Sequence, residues 1–273
     1  MSDAPTLFAV QNGIATLTLN QAARMNPLTP ALQQGCLDAL QRVRDDSAIR
    51  VLVLTGRGKG FCVGADLTAL GRAPSDAPTG ATLGDRVAEM MDKTGNPMVA
   101  GLRALPVPVV CAVNGAAAGG GVGLALAADI VIAARSAYFY LPFVPALGLV
   151  PDMGSSWFLP RAVGRARALG LTLLGDRLSA DRAVQMGLIW GSVDDDELEA
   201  ETARMAARLA ALPAHAVVET RALFSAAERN DLGAQLAFER ERQRLLIDGP
   251  SFQEGVRAFL EKRRPRFDGR GTG

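Results

Sequence analysis

The chain has 273 residues, of which 49% are hydrophobic and 21% charged, a balance typical of a soluble globular protein with a sizeable core. Its 29 basic and 28 acidic residues give a formal net charge of +1, which provides no general electrostatic reason to expect nucleic acid or a membrane surface as a partner. Three dispersed cysteines, one histidine and the lack of an apolar run of bilayer length favour a reduced, cytoplasmic protein without a metal site.

The N-terminal part predicts a hairpin, a helix and a buried strand, in that order. Apolar and polar residues alternate on both sides of Asn12-Gly13, a strong hairpin signal. Leucines and a valine recur at helical spacing within Pro30–Arg44. The apolar run Ile49–Thr55 predicts a buried strand, and the small residues of Phe61–Leu67 predict a loop after it.

The middle of the chain repeats this outline. Residues 71–80 are rich in Gly, Pro, Ala, Ser and Asp and predict a loop, and residues 83–104 predict a helix. Val107–Asp129 then reads as a strand, a glycine turn and an apolar helix, the same order as in Ile49–Leu67. Such repeated units can coil into layered sheets. We therefore expect an α/β fold built from them.

The last third changes character and predicts helices only. These amphipathic patterns cover residues 197–212, 214–228, 231–246 and 251–264. The sequence thus predicts a catalytic core at 1–196 and a helical region at 197–273.

A glycine run, Gly119–Gly121, marks the start of the apolar helix. Free N–H groups and the helix dipole make such a turn an anion site. A dinucleotide site is disfavoured, because the third glycine of its fingerprint is missing and Leu141 stands where a ribose-binding acid is expected. Two hypotheses stay open: glycines that permit close packing, or an oxyanion hole completed by the Phe61–Leu67 loop.

Two motifs carry a family resemblance. Phe61-Cys-Val-Gly-Ala-Asp-Leu67 and Val113-Asn-Gly-Ala-Ala-Ala-Gly-Gly-Gly121 together resemble the enoyl-CoA hydratase/isomerase family, the crotonase superfamily, and the likeness covers nearly the whole chain. The resemblance implies a ClpP-like spiral of β-β-α units with a C-terminal helical trimerisation region. It also implies acyl-CoA thioester substrates, no cofactor apart from the substrate's own coenzyme A, and a homotrimer or a hexamer.

The resemblance also assigns roles to single residues. The backbone N–H groups of Ala65 and Gly120 would hold the thioester oxygen of an enolate. Residues at the family's coenzyme A-binding positions are Arg24, Ala65, Asp66, Leu67, Phe259 and Lys262. The alternatives are a helix cap for Asp66 and a solvated charged face for Lys262.

The catalytic carboxylates of family hydratases are missing from their usual positions. Gly123 and Val144 stand where those enzymes carry glutamates, and hydration needs one group to activate water and another to deliver a proton. Asp152, in Pro-Asp-Met-Gly, instead resembles the acid of the isomerase branch. That branch includes Δ3,Δ2-enoyl-CoA isomerases and the ring-epoxide isomerases of phenylacetate catabolism. A cap for the helix that starts near Ser155 is the alternative role for Asp152.

The leading hypothesis is therefore an acyl-CoA isomerase with Asp152 as its proton-transfer base. We expect apolar neighbours to enclose this carboxylate and raise its pKa, namely Val144, Leu149, Trp157 and Phe158. A hydratase with a different arrangement and a non-catalytic acyl-CoA-binding protein are the alternatives.

Overall fold

The fold consists of two β-sheets wrapped by helices. The computed structural model describes residues 4–70 and 81–267, so the loop predicted at 71–80 lies outside the described residues. The six-stranded sheet has the order β1-β2-β3-β5-β7-β10, and the four-stranded sheet has the order β4-β6-β8-β9. The strands are β1 Thr6–Gln11, β2 Ile14–Leu19, β3 Val51–Gly56, β4 Gly60–Cys62, β5 Val109–Val113, β6 Ala116–Ala118, β7 Ile130–Ala134, β8 Tyr138–Tyr140, β9 Leu178–Ser179 and β10 Gly191–Val193.

Twelve α-helices accompany these strands in the described ranges, and a π-helical turn, Met91–Gly95, joins the third to the fourth. None of them is both long and apolar enough to cross a membrane. The helices are α1 Pro30–Asp45, α2 Leu67–Leu70, α3 Leu83–Met90, α4 Asn96–Arg103, α5 Gly120–Leu126, α6 Phe143–Leu147, α7 Ser155–Leu174, α8 Ala180–Gln185, α9 Leu198–Ala210, α10 Ala216–Ala227, α11 Leu232–Ile247 and α12 Pro250–Leu260.

The repeated unit expected from the sequence is present. In β3-β4-α2, β5-β6-α5 and β7-β8-α6, the first strand joins the large sheet and the second joins the small sheet. Corresponding strands of successive units pair in parallel, with Leu52 opposite Val109 and Val110 opposite Ile130. Such stacking gives a spiral of β-β-α units and confirms the predicted α/β class. It also brings the ends of β4, β6 and β8 side by side in the small sheet.

Local sequence explains the first elements. Asn12 and Gly13 both have positive φ, at 52° and 77°, as a two-residue hairpin turn of type I′ requires. The hairpin pairs Gln11 with Ile14, as predicted. Helix α1 begins at Pro30, which suits the first helical position, and the Thr29 side chain caps it by accepting the Leu32 N–H.

The last three helices contribute a single buried residue among the described residues. Helix α9 packs on β3, β5 and β7 and buries Leu198, Met205 and Ala206 in the core. In contrast, α11 has no buried residue and α12 buries only Ala258. The predicted helical region at 197–273 therefore begins with a helix that belongs to the core by packing, and the loss of burial starts after α9.

Candidate active site

The loop after β4 meets the N-terminus of α5. A Cβ atom placed on Gly64 would lie 3.0 Å from the Gly120 nitrogen and 2.9 Å from the Ala118 carbonyl oxygen. Gly64 also has a φ of 79°, which side chains disfavour. Glycine at position 64 therefore allows two backbone segments from successive units to touch.

This contact brings two backbone donors together. Gly120 is the first residue of α5, so its N–H has no partner within the helix. Within the described chain, neither this N–H nor the Ala65 N–H donates a hydrogen bond. Two free donors on adjacent turns, one of them at the positive end of a helix dipole, are what an oxyanion hole requires.

A carboxylate lies beside these donors. A Cβ atom placed on Gly120 would be 3.3 Å from Asp152 Oδ1, which is buried and has no hydrogen-bond partner among the described residues. Removal from water raises the pKa of Asp152, and a hydrogen bond from its own backbone N–H only partly opposes this. Burying a carboxylate oxygen without a hydrogen-bond partner costs free energy of folding, which makes Asp152 a functional-site candidate.

The structure does not support the capping role for Asp152. The cap position of α7 is occupied by Gly154, at a φ of 78°, and no side chain caps this helix. The Ser155 N–H donates to the backbone carbonyl of Asp152 rather than to its carboxylate. The carboxylate of Asp152 thus stays free to face the α5 terminus.

The surroundings of Asp152 differ from those expected. The pKa of Asp152 is raised as predicted, but Leu149 and Trp157, two of the four residues expected to enclose its carboxylate, are 57% and 41% exposed. The Trp157 ring packs edge-on against Phe158 and lies under the Arg161 guanidinium. Leu149 and Trp157 are therefore partly in solvent, whereas Met153, the next residue after Asp152, is buried.

That next residue, Met153, occupies the space next to the hydratase glutamate position. A Cβ atom on Gly123 would lie 2.2 Å from the Met153 carbonyl oxygen, so no side chain fits there. The Met153 side chain also lies 2.9 Å from the Cβ position of Gly120 and 3.3 Å from that of Gly95. Gly95, Gly120 and Gly123 therefore leave the space that Met153 fills, and this packing holds the Asp152 loop against α5.

A charged pair flanks the Ala65 donor. Arg24 donates to the Asp66 carboxylate at 2.6 Å, and the Thr68 hydroxyl donates to the other carboxylate oxygen at the same distance. Leu67 follows as an exposed apolar residue. The structure thus brings the predicted binding residues Arg24, Asp66 and Leu67 together beside Ala65.

The two predicted C-terminal binding residues lie elsewhere. Phe259 is 83% exposed and lines a groove of about 430 Å³ between α11, α12 and the segment before α10. Lys262 is also exposed, just after α12. Neither Ala65, Gly120 nor Asp152 lines this groove, so one chain does not bring Phe259 to the carboxylate.

Sequence reasoning did not identify several residues at the site. Leu28 contacts both the Gly64 loop and the first residue of α5. Its N–H donates to the Gly64 carbonyl at 2.8 Å, and its side chain lies 3.1 Å from the Cβ position of Gly120. Gln33 is a buried polar residue on the inner face of α1, and that departure from the apolar pattern is the signal that could have drawn attention to it. Met153 gave no such signal, because its positive φ of 49° is invisible in the sequence.

Comparison with known proteins agrees with this fold. The family model for enoyl-CoA hydratase/isomerase matches residues 9–270. The chain is 45% identical to the 1,2-epoxyphenylacetyl-CoA isomerase of Escherichia coli, over 97% of this chain and 98% of that protein. It is 34% identical to the trans-2-decenoyl-(acyl-carrier-protein) isomerase of Streptococcus mutans, over 97% and 98%.

A solved enoyl-CoA hydratase from Polaromonas sp. JS666 superposes with a TM-score of 0.88 at 34% identity and covers 96% of this chain and 99% of its own. The chain therefore belongs to the enoyl-CoA hydratase/isomerase family of enzymes, the crotonase superfamily.

Proposed function

We propose that this protein is an acyl-CoA isomerase that works through a thioester enolate. The Ala65 and Gly120 N–H groups would hold the thioester oxygen, and Asp152 would move the proton. The observation that carries the proposal is the unpaired, buried Asp152 Oδ1 beside the N-terminus of α5. The likeness to an epoxyphenylacetyl-CoA isomerase supports the same chemistry.

The proposed reaction needs one base and adds no atoms. Asp152 takes a proton from C2 of the acyl group, and the electron pair moves into the carbonyl, whose oxygen the two N–H groups stabilise. In a 3-enoyl-CoA the carbanion is conjugated with the neighbouring double bond, so Asp152 can return the proton to C4. In a ring epoxide, the bond between the two epoxide carbons must also break as the ring expands to include the oxygen, and Asp152 returns the proton to a carbon of the expanded ring. The product is an isomer of the substrate.

The raised pKa of Asp152 suits both halves of this proton transfer. A carboxylate with an ordinary pKa is a weak base toward C2, and its protonated form is short-lived. Desolvation strengthens the base and stabilises the carboxylic acid that must reprotonate the enolate. Hydration would need a second acid or base, but Gly123 and Val144 supply none and Met153 fills the space next to Gly123.

Coenzyme A would bind along the residues that follow the oxyanion loop. We place its phosphates near Arg24, with Asp66 holding the guanidinium in position at 2.6 Å. Leu67 would contact the apolar part of the ligand. Phe259 and Lys262 would reach this ligand from a neighbouring protomer, which accounts for their exposure in one chain.

We also propose that the protein is a homotrimer or a hexamer of two trimers, and the exposure of the last three helices supports assembly through them. The last three helices leave large apolar side chains uncovered, including Phe224, Leu232, Phe259 and Leu260. Exposed apolar patches of this kind mark protein interfaces. Light scattering should give three or six times the chain mass of 28.6 kDa, and Phe259→Ser together with Leu260→Ser should lower it. A wild-type monomer would contradict the assembly.

The function is tested by offering the wild-type protein 1,2-epoxyphenylacetyl-CoA, a 3-enoyl-CoA and a 2-enoyl-CoA. We expect isomerisation of the epoxide or of the 3-enoyl-CoA, and no 3-hydroxyacyl-CoA from the 2-enoyl-CoA. Efficient hydration of the 2-enoyl-CoA would identify a hydratase. Tight binding without turnover of any of the three would identify an acyl-CoA-binding protein.

A further inference from the structure

The direction of the Ala65 N–H depends on a hydrogen bond behind the oxyanion loop. The Gly64 carbonyl and the Ala65 N–H belong to one planar trans peptide, so they point in opposite directions. The Leu28 N–H donates to that carbonyl at 2.8 Å. Whatever fixes Leu28 therefore fixes the direction of the Ala65 donor.

A buried amide holds Leu28. Gln33 is 2% exposed, and its Nε2 donates to the Leu28 carbonyl at 2.8 Å. Leu32 and Cys36, its neighbours on the inner face of α1, are apolar. Burying an amide costs free energy unless its atoms are hydrogen-bonded, so both ends of this side chain need partners.

The second partner comes from the π-helical turn. The Thr94 hydroxyl lies 2.6 Å from Gln33 Oε1 and 2.9 Å from the Met90 carbonyl, so the shorter contact goes to the amide. The next residue, Gly95, has its Cβ position 3.7 Å from Gln33 Oε1 and 3.3 Å from the Met153 sulfur. Turns of this kind are rare and are often found at functional sites. This turn contacts Gln33, which holds Leu28 behind the oxyanion loop, and Met153, which holds the Asp152 loop.

We propose that Gln33 and Thr94 are positioning residues, which aim the Ala65 N–H at the substrate through Leu28 and the Gly64–Ala65 peptide. The proposal rests on the proposed function, since it concerns the oxyanion donor of that reaction. Loss of the Thr94 hydroxyl frees the Gln33 amide to rotate, and the Leu28 carbonyl then loses a fixed partner. The predicted consequence is poorer enolate stabilisation with unchanged coenzyme A binding.

The probe is phenylacetyl-CoA in D2O, whose C2 protons exchange for deuterium when the enolate forms and is reprotonated. Proton NMR gives kcat and KM for this exchange. Thr94→Val and Gln33→Met should each lower kcat about tenfold and leave KM within about twofold of wild type. Thr94→Ser keeps the hydroxyl and should restore kcat to within about twofold.

Thr202→Val is the matched control. The Thr202 hydroxyl donates to the Leu198 carbonyl at 2.7 Å, the same contact that Thr94 makes with Met90, but on α9 and without a glutamine partner. This variant should keep the wild-type kcat even if its melting temperature falls as far as that of Thr94→Val.

Wild-type kcat in both Thr94→Val and Gln33→Met, or an equal loss in Thr202→Val, would overturn the positioning role and leave the proposed function intact. No exchange by the wild-type protein would instead overturn the proposed function, and the positioning role with it.

Discussion

Two loops meet at the candidate site, and they are held in place in different ways. The Gly64–Ala65 loop contributes only backbone, comes from a repeated β-β-α unit and is fixed by hydrogen bonds. The Asp152 loop contributes a side chain, belongs to no repeat and is fixed by the volume of Met153 against three glycines. Under the proposed function, the difference means that the fold itself supplies the oxyanion donors, whereas the base depends on which segment fills the space beside α5.

Apart from removal of Asp152 itself, the largest effect is expected at Gly123, where the Asp152 loop fills the space that a side chain would need. In Gly123→Glu the new Cβ would start 2.2 Å from the Met153 carbonyl oxygen, so the Asp152 loop must move by about 1 Å. Isomerisation should fall at least about 100-fold, and no hydratase activity should replace it. Product analysis with 3-enoyl- and 2-enoyl-CoA checks both expectations.

Gly170→Ala is the control for this substitution, because a Cβ at Gly170 on α7 meets nothing within 4 Å. Its activity should match the wild type, and its melting temperature should be the same or higher. Full isomerase activity in Gly123→Glu would show that the Asp152 loop does not need the space left by Gly123.

A smaller effect is expected on the oxyanion side. Gly64→Ala places a Cβ 3.0 Å from the Gly120 nitrogen, at a φ of 79° that alanine disfavours. The kcat for C2 exchange should fall about tenfold as the two donors separate. Gly164→Ala has the same strain at a φ of 78° with no atom within 4 Å, so it should lose stability without losing exchange. Equal kcat values for Gly64→Ala and Gly164→Ala would show that exchange does not depend on the contact between Gly64 and Gly120.

The smallest effect concerns stability, and its sign differs from the usual one for an aspartate. The folded-state pKa of Asp152 is raised, so its stabilising contribution is complete below the unfolded pKa of about 3.9 and is lost as pH rises through the folded pKa. Asp152→Asn removes the buried charge and should therefore melt at a higher temperature than the wild type at pH 7. This advantage should shrink below about pH 4. A lower melting temperature at pH 7 would contradict the assignment.

The same contrast explains how much the sequence could predict. The Asn12-Gly13 hairpin and the Gly119–Gly121 turn before α5 follow from local rules, because φ preferences and free helix N–H groups act within a few residues. The contact between Gly64 and Gly120 joins two units about fifty residues apart and needed the family resemblance. The packing of Met153 against three glycines and the hydrogen bonds of Gln33 depend on contacts between elements, which no periodicity in the sequence encodes.

The most direct test of the central claim is the pH dependence of C2 exchange on phenylacetyl-CoA, measured for the wild type and Asp152→Asn. The wild-type rate should fall on acidification through an apparent pKa above the ordinary aspartate value, because the base must be ionised. Above that pKa, Asp152→Asn should be about 1000-fold slower than the wild type and should lack this pH dependence, while Asp38→Asn on the exposed face of α1 keeps the wild-type profile. Wild-type exchange by Asp152→Asn would contradict the assignment of Asp152 as the base.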